Sequence, residues 1–364
     1  MKAPAGGQGW RGWVGLGLAA WAGAGCSPSG ILARQMVKAP NRVPEWVKPE
    51  GRVGLRWPAG TMGRFPSGTA VVGEPAVALH WRMVEPADYG LEVVPEARKP
   101  GDPPADDFTI RLRLPGGGLP AAREAIGTAF VVHGYGVDSA SMFPWALALA
   151  EAGWRTVLVD LRGHGRSGGR RVYLGTLEAE DLRGLRRHLE AEGRVTGPYV
   201  VVGHSMGASI GLRWQAIDPE VRATVAFGPM AEFAPSAERV RAEYAQWVPR
   251  GWMRRATAKL PGVLGIEPEV LDTLPAVRKS AVRAYLVAGA GDAVTPPEES
   301  ARLRPWLAPG SEFLIVGQVT HETLPYAFDQ HGARVLAWLA KWGAGPGTGT
   351  GPGTGTRDGT AGPE

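Results

Sequence analysis

The run Tyr199-Val200-Val201-Val202-Gly203-His204-Ser205-Met206-Gly207-Ala208 constrains this chain more than any other stretch. Its first part, 199–202, is apolar and mostly β-branched, the composition of a buried strand. The strand stops at Gly-x-Ser-x-Gly, and residues 206–217 continue with a helical period. A serine on a sharp strand-to-helix turn is held in a strained conformation with its hydroxyl exposed at the top of a sheet. The flanking glycines make room for the bend because neither carries a Cβ. Such a turn needs a sheet to stand on and partners for its serine.

The chain has 364 residues, enough for one large α/β domain with extensions or for two small domains. Apolar residues make up 44%, so a sizeable core can be buried. Lys and Arg number 40 against 35 acids, a mild excess with no basic tail, and nucleic acid is not an expected partner. The arginines within 183–187 alternate with apolar residues at helical spacing and read as a solvated helix face.

The N-terminus has a separate character. Residues 1–12 carry Lys2 and Arg11 and no acid, and 13–25 form a short apolar run ending in small residues. That is the order of an export signal, and it is too short to span a bilayer comfortably. Cys26, the single cysteine, follows at once and excludes an intrachain disulfide. The segment resembles a bacterial lipoprotein signal. Residues 1–25 would be removed and Cys26 lipidated, which implies an exported protein anchored to a membrane of the cell envelope. Gly23 departs from that pattern, which has a large aliphatic residue there. The alternative is an unprocessed Gly/Ala-rich leader with an incidental cysteine.

Residues 26–75 are rich in Pro, Gly and Arg without a sustained period and read as a tether or irregular arm. From 76 to 342 the pattern is that of a domain. Strands are expected at 76–85, 108–114, 128–132, 155–159, 199–202, 224–227, 282–288 and 312–316, and 86–104 reads as loop. Helices are expected at 141–152, 176–192, 206–217, 298–307 and 324–341. Alternating strands and helices, with near-continuous apolar strands, imply an α/β fold whose mostly parallel sheet has helices on both faces. Residues 231–280 break the rhythm with helical segments bearing Trp247, Trp252 and Met253, and an insertion at this place reads as a lid. Extra helices packed only for stability are the other reading. Residues 343–364 repeat Gly, Pro and Thr, cannot bury a core and are expected to be disordered.

A serine hydroxyl is a poor nucleophile near neutral pH and needs a base, which in turn needs an orienting acid. Seven histidines are available. His80 lies on an early strand, His188 on a polar helix and His331 in the last helix, while His133, His164 and His204 belong to glycine-rich turns. His321 follows the last strand and precedes the final helix, the position expected of the base when the order is Ser, acid, His. The acid is expected at an earlier strand end. In Tyr285-Leu-Val-Ala-Gly-Ala-Gly-Asp292, Gly289 and Gly291 permit the turn and Asp292 projects from it. An Asx-turn role is the structural alternative for Asp292. Asp160 and Asp329 are weaker candidates by order or by element. Two backbone donors are needed for an oxyanion. The Met206 amide follows the serine at a helix N-terminus, and Tyr135 lies in the small-residue loop His133-Gly134-Tyr135-Gly136.

These pieces, with Asp160-Leu-Arg162-Gly163-His164-Gly165-Arg166-Ser167, stand in order over about residues 108–341. They resemble the α/β-hydrolase superfamily, in its branch of monoglyceride-lipase-like and lysophospholipase-like serine hydrolases, which share their motifs with S33-type aminopeptidases. The resemblance implies the α/β-hydrolase fold with a helical lid, and a structural role for the 160–167 loop. It also implies a Ser205–His321–Asp292 triad cleaving small-molecule carboxylic esters, acyl lipids among them, with no cofactor. Position 205 is Ser, which sets aside relatives with an aspartate nucleophile. No His/Cys/acid cluster has metal-ligand spacing, so no metal is expected. The glycine run lacks the Lys of a nucleotide loop. A peptidase or amidase of the same fold, and a non-catalytic envelope binding protein, are the competing functions.

Overall fold

The computed structural model describes residues 27–42, 53–96, 107–114 and 118–343. The expected signal at 1–25, Cys26 and the tail from 344 lie outside the described residues. In chain order the strands are β1 (Gly54–Arg56), β2 (Ser67–Val72), β3 (Val77–Val84), β4 (Glu92–Pro95), β5 (Asp107–Arg111), β6 (Thr128–Val132), β7 (Arg155–Val159), β8 (Tyr199–His204), β9 (Val221–Phe227), β10 (Ala284–Gly289) and β11 (Glu312–Val316). The helices are α1 (Pro28–Met36), α2 (Phe143–Glu151), α3 (Thr176–Ala191), α4 (Met206–Ile217), α5 (Phe233–Tyr244), α6 (Arg250–Thr257), α7 (Leu260–Leu264), α8 (Leu274–Ser280), α9 (Pro297–Leu303) and α10 (Phe328–Trp342).

Eight strands form the main sheet in the order β11-β10-β9-β8-β6-β7-β3-β2. The six from β11 to β7 pair in parallel. β3 runs antiparallel to β7, and β2 antiparallel to β3. Parallel strands are buried on both faces, which explains their unbroken apolar runs. Successive residues of β6 go to opposite sides. Ala129 and Val131 meet the helices α2 and α10, while Phe130 and Val132 meet α3 and α4. Val200 and Val202 of β8 join the first side, Tyr199 and Val201 the second. A separate three-stranded sheet, β1-β5-β4, packs its apolar side chains against the α2 layer.

Two expectations are corrected. Residues 26–75 are not a featureless arm where they are described. Ser27 caps α1 by accepting from Gly30 N–H at 3.3 Å, and Pro28 occupies the first turn. Leu32, Ala33, Met36 and Val37 then form a helical stripe that packs on α6 and α7 of the insertion. β2 is an edge strand of the main sheet, paired with β3 from Ser67 opposite Arg82 to Val72 opposite Val77. Both elements are short; α1 takes its stability from partners remote in sequence, β2 from the adjacent strand β3 and from α3. Likewise 86–104, expected as loop, contains β4. The insertion at 231–280 is helical, as its period implied, and contributes α5 to α8.

Because Leu32 is buried against the insertion, Leu32→Ala is expected to lower stability by about 2–3 kcal/mol. Urea unfolding measures this. A loose tether in this place would leave the midpoint unchanged.

Candidate active site

Ser205 stands between β8 and α4 with φ 55° and ψ −119°, a conformation that side-chain-bearing residues rarely adopt. Its N–H donates to the Phe227 carbonyl at 2.8 Å, which ties the turn to the end of β9. The glycines on either side are required by close approach. A Cβ on Gly207 would sit 2.4 Å from the Val132 oxygen and 2.5 Å from the His133 oxygen. One on Gly203 would sit 2.4 Å from the Gly207 oxygen. The helix start is therefore pressed directly onto the end of β6 and the loop that follows it.

The structure brings the three distant side chains together. Ser205 Oγ lies 2.8 Å from His321 Nε2, and His321 Nδ1 lies 2.8 Å from Asp292 Oδ2. Asp292 is 3% exposed and His321 8%, so the pair is screened from water while Ser205 is partly open. Asp292 Oδ1 also accepts from the N–H groups of Val294 at 2.8 Å and Thr295 at 2.7 Å. This is the Asx-type turn weighed above, and the same carboxylate faces His321 with its other oxygen. Burial pushes the Asp292 carboxyl up, but the bonds from His321 and Thr295 outweigh it and hold it below its ordinary range.

The segments that carry the expected backbone donors flank the serine. A Cβ on Gly134 would lie 3.3 Å from Ser205 Cβ, so the 133–136 loop passes beside the serine. Tyr135 follows Gly134 in that loop, and Met206 begins α4. Among the described residues neither the Tyr135 nor the Met206 N–H has an acceptor. Two free amides beside a serine at a helix N-terminus form an anion-attracting cradle.

The other histidines and acids are accounted for as supports. His133 is fully buried and its Nε2 accepts from Leu161 N–H at 3.0 Å. His164 accepts from Gly136 N–H at 3.2 Å, which fixes the loop carrying Tyr135. Burial pushes His164 down to about 3 and keeps it a neutral acceptor. Asp160 receives the N–H groups of Ser139 and Arg166, each at 2.9 Å, and faces His80 rather than His321. The 160–167 loop is thus structural. His204 Nε2 lies 2.8 Å from the His321 carbonyl oxygen and donates to it, and burial with the neighbouring His321 pushes His204 down to about 3. His331 donates to the Leu324 carbonyl at 2.7 Å, and Asp329 lies in the first turn of α10. His188 pairs on the surface with Glu192. Among the described residues no cluster of His, Cys, Asp and Glu could hold a metal ion.

Several contributors were not singled out in the sequence. Thr295 Oγ1 donates to Asp292 Oδ2 at 2.8 Å and lies 3.0 Å from His321 Nδ1. Its signal was present: a threonine three residues after an aspartate is a common turn pairing. Gly228, at φ 58°, has no such signal. A Cβ there would meet Thr295 Oγ1 at 2.7 Å and crowd Asp292 and His321. The insertion is also wired to the site. Arg239 of α5 donates to the Val294 carbonyl at 2.9 Å, and Tyr244 donates to the Glu322 carboxylate next to His321. At its root, the buried Glu299 accepts from Ala231 N–H at 3.0 Å and pairs with Arg239 at 2.6 Å. Arg213, buried and pushed down to about 10 by desolvation, donates to the carbonyls of Val270 and Leu271.

Known proteins are similar to this chain in sequence or in fold. Residues 123–291 match the family described as serine aminopeptidase, S33. A monoacylglycerol lipase of Mycolicibacterium smegmatis is 39% identical over 106 residues, 28% of this chain and 38% of the relative. A caffeoylshikimate esterase of Arabidopsis thaliana is 34% identical over 102 residues, 26% of this chain and 30% of the relative. The matches therefore span less than two fifths of these curated relatives. Among solved structures, an esterase of Pyrococcus furiosus aligns with TM-score 0.56 and 19% identity, covering 81% of this chain and 98% of its own. An α/β hydrolase of Penicillium aligns with TM-score 0.53 and 16% identity, covering 77% and 99%. At such identities the likeness concerns the fold.

The buried ionisable groups set an acid limit. Asp292 has a lower pKa in the fold than in the unfolded chain, so it stabilises above its unfolded value and loses that contribution as pH falls through the folded one. His164 and His331, pushed down by burial to about 3 and about 4, resist the protonation that the unfolded chain accepts. Their contribution is present above about pH 6.5 and declines below it, by at most about 1.4 kcal/mol per pH unit for each. Urea midpoints are expected to fall steadily from about pH 6.5 towards pH 4. Unchanged midpoints across that window would contradict the assignment.

Proposed function

We propose that this chain is a serine hydrolase of carboxylic esters in the α/β-hydrolase superfamily, a reading that the match of residues 123–291 to serine aminopeptidase, S33 supports. The observation that carries the proposal is the unbroken contact line from Ser205 Oγ through His321 to Asp292, at 2.8 Å for each step. Ser205 Oγ attacks the acyl carbon while its proton passes to His321 Nε2. Asp292, ionised and buried, stabilises the imidazolium and holds its Nδ1–H. The carbonyl oxygen becomes an oxyanion and receives the Tyr135 and Met206 N–H groups, with the α4 N-terminus adding a favourable dipole. Collapse breaks the ester C–O bond, and His321 returns the proton to the leaving alcohol. A water then attacks the acyl-enzyme, giving its proton to His321, and the acid leaves as Ser205 is reprotonated.

The acyl group we assign is apolar. Tyr135 belongs to the cluster around Met206 and Met230 and also to the one that includes Phe233, Trp247 and Trp252, so apolar surface runs from the oxyanion loop into the insertion. Monoacylglycerols and lysophospholipids fit that surface, with the insertion as the lid. The relatives named for a monoacylglycerol lipase and an esterase support an ester substrate. The S33 aminopeptidase match favours a second reading, amide or peptide cleavage by the same residues.

We further propose export and lipidation at Cys26, as the leader composition implies.

Ser205→Ala and His321→Ala are each expected to lower kcat about a millionfold, and Asp292→Asn about ten-thousandfold. A fluorophosphonate probe should label Ser205 in the folded native chain, and a folded but unlabelled chain would sink the enzyme assignment. Faster turnover of aminoacyl anilides than of p-nitrophenyl esters would decide for the second reading. Mass analysis of the mature N-terminus is expected to find a diacylated Cys26. An intact Met1 or a bare Cys26 would remove the anchor.

A further inference from the structure

The solvent side of the insertion carries a patch of positive charge that the proposed chemistry does not use. Three stretches build it. Lys38 follows α1, Arg170 and Arg171 lie on the loop after β7, and Arg254, Arg255 and Lys259 lie on or just after α6. All six are exposed. They are neighbours because the backbone makes them so. Lys38 and Arg171 form an antiparallel bridge, and Ala39 N–H donates to the Arg170 carbonyl at 3.2 Å. Arg171 reaches the Val263 carbonyl beyond α6 at 3.3 Å. Lys259 donates to the hydroxyls of Ser27 at 2.6 Å and Ser29 at 3.1 Å at the start of α1. α1 in turn packs along α6.

Among the described residues none of the six forms an ion pair. This is unusual for the chain's other arginines, many of which do: Arg155 with Glu85, Arg162 with Asp181, Arg186 with Asp218. The nearby acid on α5, Glu238, is already shared by Arg241 and Arg250. The six cations outnumber the exposed acids that follow α7, Glu267 and Glu269, so this face keeps a net positive field.

Position narrows the partner. The patch covers the outer side of elements whose inner side is the apolar cluster leading to Tyr135 and Ser205. The loop carrying Arg170 and Arg171 leaves the carboxyl end of β7, the same end of the sheet as Ser205. α6 places Arg254 and Arg255 outward, Met253 and Ala256 inward and the half-buried Trp252 between them. Cations around an aromatic on a short amphipathic helix suit the headgroup layer of a bilayer.

We propose that this face docks on an anionic phospholipid surface, with the insertion and α1 turned towards the membrane. Docked in this way, an amphiphilic ester would pass from the bilayer to Ser205 without crossing bulk water. The choice of a lipid over a polynucleotide rests on the ester assignment. The docking itself requires no catalysis and is measured apart from it.

The test is co-sedimentation of the full mature chain with vesicles of phosphatidylcholine alone and with roughly one third phosphatidylglycerol. Any leader or lipid anchor binds both, so the readout is the excess for the anionic vesicles. That excess is expected to be at least about tenfold and to fall as salt rises. The double variant Arg254→Glu/Arg255→Glu, whose side chains form no ion pair among the described residues, is expected to cut the excess about 30-fold or abolish it. Its turnover of a short, water-soluble ester should stay unchanged, while turnover of a long-chain ester embedded in anionic vesicles falls. Arg254→Gln/Arg255→Gln, with half the change in charge, should fall between the two. Equal binding to both vesicle types, or an excess unaffected by charge reversal, would overturn the proposal. Tighter binding to a random DNA duplex than to anionic vesicles would overturn it in favour of a polynucleotide. A chain that docks but does not turn over any ester would leave the docking standing and remove the esterase assignment.

Discussion

Gly207 lies against the carbonyls of Val132 and His133 with no room for a Cβ, and much of the candidate site's geometry hangs on that. No Cβ fits there, so α4 can sit directly on the carboxyl end of β6. That seating fixes three things at once. It puts the α4 N-terminus at the top of the sheet. It sets Ser205 beside Gly134, so that the loop bearing Tyr135 runs past the serine. It also holds the serine in a conformation that costs on the order of 1–3 kcal/mol. The strain is tolerated because β8 is hydrogen-bonded on both sides, by β6 and β9, and the Ser205 N–H is bonded to Phe227.

The second support is electrostatic. Removing a carboxylate from water is costly, and Asp292 is buried. It stays ionised because donors surround it: two backbone N–H groups on one oxygen, Thr295 and His321 on the other. Gly228 makes this possible by leaving space that a larger residue would fill. The loops after β9, β10 and β11 are thus fitted to one another rather than hung independently from the sheet. Gly291 N–H bonding to the Val319 carbonyl at 3.1 Å joins the acid loop to the segment that leads to His321.

What could be read in the sequence follows from where each element finds its partner. The parallel strands announce themselves, because burial on both faces demands continuous apolar runs. Ser205, His321 and Asp292 were legible because each sits at a strand end with its own local signal. α1 and β2 were not. α1 shows two turns of apolar spacing in a Pro- and Gly-rich stretch, and its stripe buries against α6 and α7, more than 200 residues later, and beside Val172 and Leu174. Thr295 and Gly228 escaped for a different reason. Their importance lies in which atoms they approach, and no one-dimensional pattern records that.

Charge shows the same limit from the other side. A net charge of +5 on 364 residues reads as unremarkable, and the count carries no hint of segregation. Folding creates it. The buried acids consume particular arginines: Asp181 takes Arg162, Asp218 takes Arg186 and Glu299 takes Arg239. These pairs satisfy charges that burial would otherwise penalise, so they answer to the core and not to the surface. The cations left over are those on elements whose neighbours offer apolar stripes and hydroxyls instead of carboxylates. α1 and α6 meet through Leu32, Ala33, Met253 and Ala256, an interface with no use for an acid. Beside it Lys38, Arg254, Arg255 and Lys259 have no ion-pair partner among the described residues. The basic patch on α1 and the insertion is in this sense a by-product of how the insertion is packed, and it is available for whatever surface the protein meets.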